Sequence, residues 1–175
     1  MSQPRKKPPT RHADLQINDI RDLPRLTDDT LLRLRALLEV EMRRRGLAFS
    51  VGDIGERLVL EHFNKTSGLP VLLLAPRGTK NVDALSRNGE RYSIKTIWKA
   101  KKTGTVYPDS KDANKQLFEF LLVCRLSDDF SLRSIHQFTW DEFLKLRSWD
   151  RRMSAWYVAC SERNLRREHA IYSRE

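Results

Sequence analysis

Apolar positions recur along this chain with two spacings, one of about 3.6 residues and one of two, and the change between them marks its elements. Leu31, Leu34, Leu38 and Met42 follow helical spacing and Leu37 widens the stripe. Thr27 stands where an N-cap belongs, Asp28 and Asp29 suit the positive end of the helix dipole, and Arg43-Arg44-Arg45 before Gly46 suits a C-terminus. The helix is expected to pack on the core. A second helix is predicted from Ser50 to about Phe63, burying Ile54, Leu58, Val59 and Phe63. Gly52 and Gly55 inside it cost helix propensity, which points to a close backbone approach. Val71 to Ala75 is a continuous apolar run and predicts a central strand buried on both faces. Leu117 to Leu126 and Leu132 to Phe138 predict two further strands. Thr139-Trp140-Asp141-Glu142 is a capping box opening a short helix, Trp156 to Cys160 reads as a strand, and Ser161 starts a final short turn or helix.

Between these lies Val82 to Thr96, two short alternating runs joined by a turn. A two-residue turn at Asn88-Gly89 would set Asp83 against Ile94 and Val82 against Lys95, mixing apolar with charged partners. A three-residue loop, Arg87-Asn88-Gly89 with Gly89 left-handed, sets Asp83 against Ser93 and Val82 against Ile94. The second register is expected because both faces are then chemically consistent, with Asp83, Ser93 and Lys95 sharing one. Gly52-Asp53-Ile54-Gly55-Glu56 opens the preceding helix and could aim Glu56 at that face.

A glutamate on a first helix, an aspartate entering a strand, a Gly-containing turn and Ser93-Ile94-Lys95-Thr96 in the next strand resemble the PD-(D/E)XK, restriction-endonuclease-like superfamily. In element order the likeness covers roughly residues 28 to 174, although its specific content is four or five residues. It implies a restriction-endonuclease-like α/β fold, a mixed sheet flanked by helices. It also implies Mg²⁺- or Mn²⁺-dependent hydrolysis of DNA, with Glu56 and Asp83 binding the cation and Lys95 positioning and activating the attacking water. Double-strand cleavage by such a site further implies a homodimer. The sequence departs from the family pattern at Ser93, where an acid or glutamine is usual, and a serine hydroxyl is a weak, neutral ligand. Glu90 is an accessory candidate, and the Ile94 carbonyl another donor. The alternative is a catalytically inactive nuclease fold that binds nucleic acid or a partner.

Charge supports a polyanionic partner. Thirty-three Lys and Arg stand against twenty-three Asp and Glu, a formal net charge of +10 over 175 residues. Residues 1–12 hold four basic residues, three prolines and no acid, so residues 1–20 are expected to be a disordered basic tail and 21–175 a single domain. From Arg91 to Lys115 seven basic residues face two aspartates, with Trp98 and Tyr107 interleaved, a composition suited to phosphate contact and stacking. Residues 99–115 are expected to be a long loop. Arg77, Lys80, Lys99, Lys101, Lys102, Lys111 and Lys115 are the candidate DNA contacts, and Arg163, Arg166 and Arg167 form a further basic patch.

The chain has no phosphate-cradling GxxxxGK[ST], no dinucleotide fingerprint, no nucleophile elbow and no zinc spacing, which argues against NTPase and serine-hydrolase chemistry. His12, His62, His136 and His169 have no partner spacing and are read as structural or surface residues. Two cysteines without a C-x-x-C, no apolar run of membrane length and no hydrophobic leader give the expectation of a soluble, cytoplasmic protein.

Overall fold

The computed structural model describes residues 20–47, 50–76, 78–113 and 115–174; the expected N-terminal tail and Arg77 lie outside them, apart from residue 20. By backbone contacts the chain divides into two compact units, Met1–Ala48 and Phe49–Glu175.

The first unit holds a 3-10 turn, Ile20–Arg25, and helix α1, Asp28–Arg44. Thr27 caps α1 by accepting from the Thr30 amide at 3.3 Å. Near its other end, Glu41 receives the guanidinium groups of Arg44 and Arg45, which hold its carboxyl at about 2. No residue of α1 is buried.

The second unit is a mixed α/β layer structure. Helix α2 spans Val51–Lys65 and strand β1 Leu72–Leu74, followed by β2 Ala84–Ser86, β3 Arg91–Ile97, β4 Phe120–Leu126 and β5 Leu132–Thr139. Helix α3 follows at Trp140–Leu146, then β6 Arg147–Asp150, β7 Ala155–Val158 and β8 Ala170–Ser173. Six strands form one sheet in the order β1-β2-β3-β4-β5-β8, antiparallel except for the parallel β3–β4 pair; β6 and β7 form a separate hairpin. No described helix is long and apolar enough to cross a membrane.

Strand β4 lies at the centre of the layers because its alternation is apolar on both sides. Leu122, Cys124 and Leu126 join Val59 and Phe63 of α2, while Leu121 and Val123 join Phe143 of α3 and Trp156 and Val158 of β7. Arg91 ties β3 to β4 through a two-pronged contact with Glu119, 2.7 and 3.0 Å, and that guanidinium holds the Glu119 carboxyl below its usual range.

Two expectations need correction, and two strands were not expected. The Val71–Ala75 run is not a central strand: β1 is at the sheet edge, with Leu72 buried but Leu73 and Leu74 about three-fifths exposed, at 61% and 62%. Its edge position is maintained by Asn64 of α2, whose amide donates to the Leu72 carbonyl and accepts from the Leu72 amide at 3.1 and 2.8 Å. Residues 99–115 are not free loop throughout, since Lys102 and Val106 form backbone bridges with Ala159 and Trp156. Strand β6 directly after α3 and strand β8 near the end have too few alternating positions to stand out in the sequence.

Candidate active site

The hairpin adopts the three-residue loop. Ala84 pairs with Tyr92 and Leu85 with Arg91, the Ser86 amide donates to the Glu90 carbonyl, and Gly89 takes φ 83°, which glycine adopts without steric cost. Extending that register sets Asp83 opposite Ser93. The regular ladder ends at Ala84, however: the Asp83 amide donates to the Tyr92 carbonyl at 2.8 Å, and the Asp83 side chain takes up the Ile94 amide.

Asp83 Oδ2 accepts from the Ile94 amide at 2.6 Å, the Ser93 hydroxyl at 3.2 Å and Lys95 Nζ at 3.5 Å. One oxygen thus carries three donors, and Oδ1 keeps its acceptor capacity. In an extended strand the amide and carbonyl of one residue point to the same side, so the Ile94 carbonyl opens to the edge that its amide presents to Asp83. Ser93 is fully buried, and Lys95 and Asp83 expose only 17% and 22% of their side chains, so their contact is shielded from screening water.

Glu56 is brought to this edge by a glycine. A Cβ at Gly55 would lie 1.9 Å from Thr96 Oγ1 and 2.7 Å from Thr96 Cβ, so only glycine lets α2 approach β3 this closely. The Thr96 hydroxyl also reaches the Gly52 carbonyl, at 3.5 Å. One residue beyond Gly55, Glu56 is half-buried, and burial raises its proton affinity; Asp83 and Asp53 raise it further, against Lys95. A glutamate whose proton affinity is raised by burial and by a neighbouring aspartate is in the electrostatic state that a divalent cation relieves. The donor chemistry fits such an ion through Glu56, Asp83 Oδ1 and the Ile94 carbonyl. Among the described residues no three His, Cys, Asp or Glu side chains gather as a ready metal cage.

The accessory candidates separate. Ser93 belongs to the Asp83 cluster. Glu90 stays in the hairpin turn, accepting from Ser86 Oγ at 2.9 Å and Tyr92 Oη at 3.3 Å.

The basic candidates divide among several surfaces. Lys80 and Lys115 line a concavity of about 710 Å³ together with Tyr107, a residue 48% exposed, and Val82, the neighbour of Asp83. Asn81 joins its two walls, donating to the Tyr107 carbonyl at 3.0 Å and accepting from the Tyr107 amide at 3.3 Å. Lys115 also contacts Asp109 at 3.3 Å. Lys102 is engaged by Asp150 of β6 at 2.7 Å, Lys99 lines a different cavity, and Lys101 and Lys111 are exposed. Asn81 and Gly104, whose added Cβ would lie 3.7 Å from Lys95 Cδ, are contributors to this region that sequence reading passed over. Asn81 carried a usable signal, since an asparagine in a tight loop favours its observed φ of 59°.

The sequence matches no protein-family model and no curated protein to which it was compared.

Proposed function

We propose that this chain is a metal-dependent DNA endonuclease of the PD-(D/E)XK kind. The observation that carries the reading is the convergence of Asp83, Lys95 and the Ile94 backbone where β2 leaves β3, with Glu56 delivered to the same place by the Gly55–Thr96 contact. Glu56 and Asp83 would hold Mg²⁺ or Mn²⁺, helped by the Ile94 carbonyl. When bound, the cation supplies polarisation of a phosphoryl oxygen and acidifies a coordinated water.

The side chains around it have distinct tasks. Asp83 Oδ2 fixes the Lys95 ammonium and leaves Oδ1 for ligation. Lys95 offers its remaining protons to the attacking water and to the charge developing on the phosphate. Glu56, crowded by burial and by Asp83, gains most from a cation's arrival. Lys80 and Lys115, flanking Tyr107 near Asp83, suit a DNA backbone with an adjoining base on the ring. A homodimer would place two such sites on opposite strands; sedimentation as monomer alone, with DNA present, would count against it.

Ser93 favours a second reading, a nucleic-acid-binding module without turnover. Its hydroxyl is fully buried against Asp83 and contributes no negative charge where the family has an acid. Plasmid and single-strand cleavage with Mg²⁺ or Mn²⁺ separates the two. Turnover abolished by both Asp83→Ala and Lys95→Ala supports the nuclease, whereas salt-dependent binding without cutting supports the module.

A further inference from the structure

We infer that a second cavity, at the carboxyl end of β4, is a phosphate-binding pocket built around Arg125. It has a volume of about 750 Å³ and lies between the segment after β3, the β4–β5 turn and the end of β8. Its cations are Lys99, Arg125, Arg133 and Arg174, and its acids are Asp128 and Asp129. Four positive charges against two negative leave an excess of two, matching a phosphate group near neutral pH.

The two acids do not neutralise the arginines. Asp129 is occupied by its own turn, accepting from the Ser131 amide at 3.0 Å and the Ser131 hydroxyl at 2.7 Å, with Arg174 felt only electrostatically. Asp128 is 86% exposed and contacts Lys99 at 3.6 Å, a pairing that water largely screens. Among the described residues neither Arg125 nor Arg133 has a side-chain hydrogen bond or an ion pair.

Arg125 is the informative group. It sits half-buried within the sheet, paired with Ile97 of β3 and Ser134 of β5, where the register shifts between Arg125 and Leu126. The extra residue at that shift is Arg133 of β5, which is left unpaired in the ladder, and a half-buried arginine without a carboxylate keeps its charge for an anion. Its planar fork of donors matches the oxygens of phosphate.

The rim is constrained. Lys99 and Phe130 take φ 55° and 61°, a left-handed conformation that residues with a Cβ adopt only where the surrounding structure holds them. Trp98 packs on Phe130 with ring centroids 4.5 Å apart, holding the two loops together. This rim is set before any ligand arrives.

The phosphate could belong to a nucleic-acid backbone or to a free phosphate compound, and titration in EDTA, where no cleavage occurs, distinguishes them. Inorganic phosphate and a short labelled DNA strand are titrated into the full chain, into Arg125→Gln and into Arg133→Gln/Arg174→Gln. The double variant alters exposed side chains and guards against a folding defect at Arg125. Both variants are expected to weaken at least one ligand by about tenfold or more, while Lys65→Gln, an exposed lysine paired with Glu61 and lining neither cavity, leaves inorganic phosphate unaffected. Weakened DNA binding identifies the backbone as the source; weakened phosphate with unchanged DNA identifies a free compound. If neither ligand responds in variants that remain folded, the pocket assignment is overturned. Cleavage by the Asp83 site does not enter these readouts, so that reading and this one fail separately.

Discussion

A serine at position 93 changes what its neighbouring aspartate experiences. Because Ser93 is fully buried with its hydroxyl on Asp83, an acid placed there would crowd a second carboxylate against the first. Ser93→Asp is therefore expected to lose about 1–3 kcal/mol of stability without divalent metal and to recover most of it with Mg²⁺. Thermal melts with EDTA and with Mg²⁺ check this, and equal losses in both would argue against a cation at this edge. Glu56 supplies a pH test at the same scale. Burial first, then Asp83 and Asp53, raise its folded pKa above the unfolded one, so the folded state binds the proton more tightly. Stability should then fall as pH rises from the ordinary glutamate range through the raised value. Glu56→Gln is expected to flatten that slope and to raise the melting midpoint at neutral pH. An unchanged slope would mean Glu56 does not feel the Asp83 field.

At the scale of elements, the close approach of α2 to β3 decides whether Glu56 belongs to the site. Gly55→Ala should gain up to about 1 kcal/mol of helix propensity. A new Cβ would meet three atoms of Thr96 at 1.9 to 2.7 Å, however, and overpacking of this kind costs about 1–3 kcal/mol, so net destabilisation is expected. Displacing α2 should also remove Glu56 from Asp83, costing metal-dependent activity beyond what the melting shift explains. Wild-type activity in a stable Gly55→Ala protein would show that Glu56 is dispensable. The edge strand offers an independent check: Asn64→Ala loses both bonds to the Leu72 backbone and should cost about 1–3 kcal/mol, with faster hydrogen exchange at Leu72. Exchange at β4 should stay slow, because that strand is covered on both faces.

For the whole molecule, a net charge of +10 predicts DNA binding that weakens steeply with salt. Lys80→Ala and Lys115→Ala should each reduce the slope of log K against log salt by about one, if both touch phosphates. Lys102→Ala should change it less, since Asp150 already engages that ammonium at 2.7 Å. Equal slopes for all three variants would assign the affinity to diffuse charge rather than to the Tyr107 concavity.

Much of the local structure was legible because it is local. Thr27, Ser50 and Thr139 cap helices with their own side chains, and the three-residue hairpin register follows from keeping apolar residues opposite apolar ones. Gly55 signalled a close approach through its poor helix propensity, but only the fold identifies Thr96 as what it approaches. Long-range placement was hidden. The leucines of β1 resemble a central strand because hydrophobicity records a tendency to be buried, while strand order determines which faces are covered. The grouping of Lys99 with Arg125, Arg133 and Arg174 was equally invisible, since three strand ends and a turn far apart in the chain must meet before their charges add. Sequence alone determined the caps, the hairpin register and which acid and lysine share its polar face. Tertiary structure alone decided which charges share a pocket, because electrostatic energy depends on separation in space and not along the chain.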